Sequence, residues 1–129
     1  MRAQVLEPPR SSDSGIRLGT SVGDLLGTWR GEQPVEVSDF IDVEIDVRAA
    51  HVFDELDFVS NPDEGFRIQQ DDAVAVTGRV VEIDHQGVMS LEVGSALLSI
   101  EMEGVAPLEI SGMLVTLVVR DLEVYPTAI

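Results

Sequence analysis

The chain has 129 residues, 24 acidic and 8 basic side chains, a net charge of -16 and no cysteine. That length suits one domain, and 44% hydrophobic residues supply a core, unlike a charged disordered chain. Cysteine chemistry is excluded, and no apolar run approaches the roughly 20 residues of a membrane-spanning helix. Residues 1–15 lack the apolar core of a secretory signal, so a cytoplasmic protein is expected.

In chain order, residues 1–15 read as a flexible arm. Pro8-Pro9 cannot sit inside a helix, and Ser11, Ser12, Asp13, Ser14 and Gly15 form a polar loop cluster. Residues 16–129 then read as one β-rich domain. Its first element is expected to be a short N-terminal helix, because Val22, Leu25, Leu26 and Trp29 fall at i, i+3, i+4 and i+7. Thr20 or Ser21 would cap it, with Asp24 three residues after Ser21. Gly23 and Gly27 oppose it, each by about 1 kcal/mol relative to Ala.

From Val35 the apolar period becomes two. Val37, Asp39, Ile41, Val43, Ile45 and Val47 alternate with Ser38, Phe40, Asp42, Glu44, Asp46 and Arg48, which predicts a half-buried strand with an acidic outer face. Residues 54–65 read as a loop, punctuated by Asn61-Pro62 and Glu64-Gly65, and 66–69 as a short strand. Residues 74–83 and 88–93 predict a hairpin around Asp84-His85-Gln86-Gly87. Gly78 marks a bend or close backbone approach within it. Further strands follow at 96–103, 113–119 and 122–125. The fold expected is mainly β: a small antiparallel barrel or sandwich, OB-like in its sequence of strands but with its helix in the wrong place for that fold.

The charge is concentrated. Residues 32–72 hold 13 acids against Arg48 and Arg67, a net -11. A high-GC genome or a salty cytoplasm would give an acidic, lysine-free chain without any function; a binding face for a basic partner would also explain the clustering. The sign argues against nucleic acid, whose phosphates demand Lys and Arg. Asp42, Glu44 and Asp46 stand on one face at spacings of about 6.6 Å. With Asp54 and Asp57 beyond them they form the candidate partner-binding set. The plain alternative is the solvated side of an antiparallel strand.

No motif carries catalysis. There is no nucleophile elbow, P-loop or dinucleotide fingerprint, and His51 and His85 lack metal-ligand spacing. Both read as surface or half-buried histidines. Carboxylate pairs suited to glycoside hydrolysis arise by chance among so many acids, and 54–65 has the acids of a calcium loop without its spacing. No cofactor, metal or catalytic residue is expected.

In size, charge, lack of cysteine, the acidic strand FIDVEIDV and the closing GMLVTLVVRDLEVYP, the chain resembles the small acidic immunity proteins that accompany bacterial toxins. The resemblance spans roughly residues 35–125. It implies a non-enzymatic inhibitor whose Asp42, Glu44, Asp46, Asp54 and Asp57 meet Arg or Lys on a toxin, for instance a nuclease. The competing expectation is an accessory or ligand-binding barrel with an apolar pocket rimmed by Trp29 or Tyr125.

Overall fold

A computed structural model of the chain describes residues 1–11, 14–58 and 63–127. Twelve strands run in order: β1 (Arg2–Glu7), β2 (Gly15–Thr20), β3 (Gly23–Trp29), β4 (Phe40–Val47), β5 (His51–Val52), β6 (Asp57–Phe58), β7 (Gly65–Ile68), β8 (Val74–Ile83), β9 (Val88–Val93), β10 (Ala96–Glu103), β11 (Leu114–Val119) and β12 (Leu122–Pro126). A 3-10 turn, Phe53–Glu55, separates β5 from β6. The strands form two units. One is a closed barrel in the order β1-β2-β3-β12-β4, with β4 returning to β1 and β12 lying parallel to β3. The other is a seven-stranded sheet in the order β5-β10-β9-β8-β11-β6, with β7 beside β8. The sheet is thus an insertion between the last two barrel strands.

The expected helix is corrected: residues 23–29 are a strand, and the described residues contain no α-helix. Leu25 and Trp29 are buried at a spacing that suits either period, and Gly27 lies between them on the inward side. There Val124 packs so close that a Cβ on Gly27 would stand 2.8 Å from its Cγ2. A helix would have withdrawn this backbone from β12. Thr20 caps a turn instead of a helix: its hydroxyl accepts from Val22 N–H and donates to the Gly23 carbonyl. The barrel has the five strands of an OB-type barrel, and residues 30–39 join its third and fourth strands without a helix.

The arm is also shorter than expected. Residues 2–7 pair with both β2 and β4 and so close the barrel, with Ala3 and Val5 buried. Ser12 and Asp13 of the polar cluster, and Asn61-Pro62 of the 54–65 loop, lie outside the described residues. The 74–93 hairpin forms as anticipated, with a bulge at Val81. Gly78 is where β8 exchanges partners: β7 pairs with residues 74–77, and β9 takes the same side from Arg79. A Cβ there would lie 2.6 Å from the Glu92 carbonyl oxygen.

One continuous apolar core runs through both units, from Leu18, Leu25 and Val43 to Val76, Leu91 and Leu117. The joint is a plug. The β2–β3 turn pushes Val22 against Gly65 and Gly94, and the Val22 carbonyl accepts from Phe66 N–H at 2.9 Å. Side chains on both glycines would strike Val22, and Gly65 has φ +146.

Candidate functional site

β4 carries out the predicted alternation. Val43, Ile45 and Val47 are buried, and Asp42, Glu44 and Asp46 are exposed. The inward residues lock the strand into the barrel, so the three carboxylates stand on a rigid element and not on a loop. Their neighbours differ. Asp42 lies opposite Arg2, whose guanidinium is 3.7 Å from it and 5.5 Å from the centre of the exposed Phe40 ring. Glu44 lies opposite Tyr125, and Asp46 opposite Glu123. Among the described residues no cation pairs with Glu44 or Asp46.

Two like charges directly opposite on adjacent strands repel. The barrel relieves this by neutralising Glu123. Its side chain is only 7% exposed and receives Arg30 Nε at 2.5 Å; Arg48 stands 3.6 Å away. The Tyr125 hydroxyl donates to the same carboxylate at 3.1 Å. The Arg30 hydrogen bond holds the Glu123 carboxyl below its usual range against the opposing effect of burial. The hydrogen bond to Glu123 raises the Tyr125 phenol. Glu123 is the one acid buried among the described residues, and it is held ionised, the opposite of what a proton donor requires.

Glu44 and Asp46 form one wall of a cleft of about 500 Å³ between the two units. Ser95 of the β9–β10 turn and Leu97 and Ser99 of β10 form the other wall, with Met1 and Tyr125 also lining it. Beyond Met1, which exchanges two backbone hydrogen bonds with Val43, no described strand pairs with β4 on that side.

The predicted set is therefore divided. Asp42, Glu44 and Asp46 share one face, and the last two line the cleft. Asp54 and Asp57 belong to the inserted sheet. Asp54 lies in the 3-10 turn beside a hollow of about 290 Å³ shared with Glu103, and Asp57 sits on β6 opposite Thr116. Sequence reading missed the Arg30–Glu123 pair, whose partners are 93 residues apart. The only local signal was an acid inside the otherwise apolar closing strand. Trp29 and Tyr125, expected at a pocket rim, both border a separate hollow of about 620 Å³ at one end of the barrel.

His51 is more enclosed than a surface histidine. Its side chain is 11% exposed, Nδ1 lies 2.6 Å from Glu55, and Nε2 is buried without a partner among the described residues. Asp84 organises the β8–β9 turn by accepting from Gln86 and Val88 N–H, and these bonds, the Val88 one foremost, lower its carboxyl. Among the described residues no three His, Asp or Glu side chains gather as a metal site, and no helix is long and apolar enough to cross a membrane. No protein-family model, curated protein or solved structure matches this chain.

Proposed function

We propose that the chain is a non-enzymatic binding protein that acts as an immunity protein in the cytoplasm. It neutralises a cognate bacterial toxin by covering a basic surface with the acidic face of β4. The observation that carries this reading is that Glu44 and Asp46 stand exposed on a rigid barrel strand at the wall of a cleft, without a cationic partner among the described residues. The same barrel neutralises Glu123 across the strand, so exposed negative charge is left at two adjacent outward positions and compensated beside them. Such a face speeds association with a basic partner and selects among partners. Asp42 contributes once Arg2 is displaced, and Asp54 and Asp57 extend the field along the inserted sheet. Inhibition is steric, and the protein performs no chemistry.

The test is capture from the source lysate on the tagged protein, washed at about 0.15 M salt, where screening sets in beyond roughly 8 Å. A single stoichiometric basic protein is expected. It is lost with the triple variant Asp42→Asn, Glu44→Gln, Asp46→Asn, whose circular dichroism and thermal midpoint match the parent. A partner that binds the triple variant unchanged overturns the assignment of the site. Absence of any stoichiometric partner overturns the function.

A further inference from the structure

The end of the barrel holds a second concavity of different chemistry. Its hollow of about 620 Å³ is bordered by Trp29, Val35, Ile41, Tyr125 and Pro126, with Arg30 and Glu32 also in the lining, and is more apolar than the acidic cleft. The volume falls in the range of about 300–1,000 Å³ usual for small-molecule sites. The sequence builds it locally. Trp29 ends β3, Ile41 lies near the start of β4, and Tyr125 and Pro126 end β12. Residues 31–35 then pass over Trp29 as a strap. Gly31 is buried there, and a Cβ on it would overlap the benzo ring of the indole, so only glycine lets the strap lie this close.

Trp29 itself is 3% exposed. Its indole N–H has no acceptor among the described residues, yet it is not among the sealed, unpartnered polar atoms. The indole is therefore not sealed, and Trp29 borders two hollows beside the strap, one of about 620 Å³ and one of about 200 Å³. An unpartnered donor beside a largely apolar hollow is the kind of group that fixes a ligand's orientation in such sites.

We propose that this hollow binds a small uncharged molecule, with an apolar body against Val35, Ile41 and Pro126 and a carbonyl-type acceptor toward the Trp29 indole N–H. Charge selects against an anion. Arg30 is engaged by Glu123, so it offers no uncompensated cation to an anion, and the net charge of -16 raises the cost of bringing one in. Glu32 and the aromatic faces of Trp29 and Tyr125 would also receive a cation, so a cationic naphthalene that displaces prodan overturns the uncharged assignment. This inference is independent of the acidic-face reading, since the two sites share only Tyr125 among their lining residues.

Trp29 is the only tryptophan, so its emission reports this site alone. The probe is prodan, an uncharged naphthalene with a ketone acceptor and an absorption that overlaps tryptophan emission. Titration of the purified chain is expected to give saturable binding at one probe per chain. Trp29 emission should be quenched with energy transfer, and prodan emission should shift to the blue. Val35→Asp, on the strap, and Ile41→Glu, on the wall, each place a charge in the apolar lining and should weaken binding about tenfold or more. Trp29→Phe keeps a ring and removes the donor, and should weaken binding about threefold to tenfold. Val118→Ser, on the exposed face of the inserted sheet, should change nothing. Absence of saturable transfer in the folded parent overturns the proposal. So does binding that Val35→Asp leaves intact, which would place the probe elsewhere.

Discussion

The two β units solve the problem of sheet edges in different ways. In the barrel every strand has a neighbour on both sides, and its acids other than Glu44 and Asp46 are matched locally: Arg2 with Asp42, Arg17 with Glu7 and Asp24, Arg30 and Arg48 with Glu123. The inserted sheet stays open. Its margins are the two-residue strands β5 and β6, and residues 51–119 hold 13 acids against only Arg67 and Arg79. Short, charged edges resist pairing with another chain. Closure thus frees the barrel to present a selected pair of charges on a fixed strand, while the open sheet spreads its charge as protection. Acidity therefore has two physical meanings within one chain.

The joint is where the comparison breaks most readily. Gly65→Ala forces a side chain onto a residue at φ +146 and against the Val22 carbonyl. It should cost about 3 kcal/mol or more from strain and overlap together. In urea, Trp29 fluorescence follows the barrel and circular dichroism follows both units. The two transitions should separate in the variant and coincide in the parent.

Arg30→Ala acts within the barrel. It leaves Glu123 enclosed with only Arg48 at 3.6 Å and the Tyr125 hydroxyl, and should cost about 2–3 kcal/mol. The pH dependence sharpens the point. Glu123 is held below its ordinary value of 4.5, so its contribution is present above that pH and is lost as pH falls through the lowered value. Tyr125 is held above 10.0, so its contribution is present below that pH and is lost as pH rises through the raised value. Denaturation midpoints measured from acid to alkaline pH should therefore flatten at both ends in Glu123→Gln relative to the parent. Unchanged curvature would remove the cluster from the account of barrel stability.

The corresponding polar link in the sheet is smaller. Thr77 is buried and its hydroxyl meets that of Thr116 at 2.7 Å across β8 and β11. Thr77→Val should cost about 1 kcal/mol by urea denaturation, half the Arg30 effect or less. The smallest effect belongs to the ladder itself. Asp42→Asn removes an exposed pair at 3.7 Å and should change stability by about 0.5 kcal/mol or less, while binding of a basic partner weakens. A large loss of stability would show that the acids support the fold and are not a binding face.

Much of the fold was legible where one period applied without competition. The alternation of β4, the β8–β9 hairpin around Asp84 and the bend at Gly78 all depend on neighbours close in sequence. Residues 22–29 misled because Val22, Leu25, Leu26 and Trp29 satisfy a helical spacing while Leu25 and Trp29 also satisfy a strand's. β12, a distant strand packed against Gly27, resolves the ambiguity. β1 was hidden because a six-residue strand beside Pro8-Pro9 has little to distinguish it from an arm until β2 and β4 flank it. The acids of the candidate site were visible in number and parity. Their division between two units, and the neutralisation of Glu123, were not.

By itself the sequence determined which side of β4 would be acidic, where the chain would turn back on itself, and that a cysteine-free chain of net charge -16 would rely on an apolar core. These follow from composition and from the two-residue period of an extended strand, both of which are local. Tertiary structure alone decided that β12 lies parallel to β3, that Val22 plugs the joint, and that Arg30 reaches a carboxylate 93 residues away. Those depend on which distant strands become neighbours when the barrel closes, and a local pattern carries no information about that pairing.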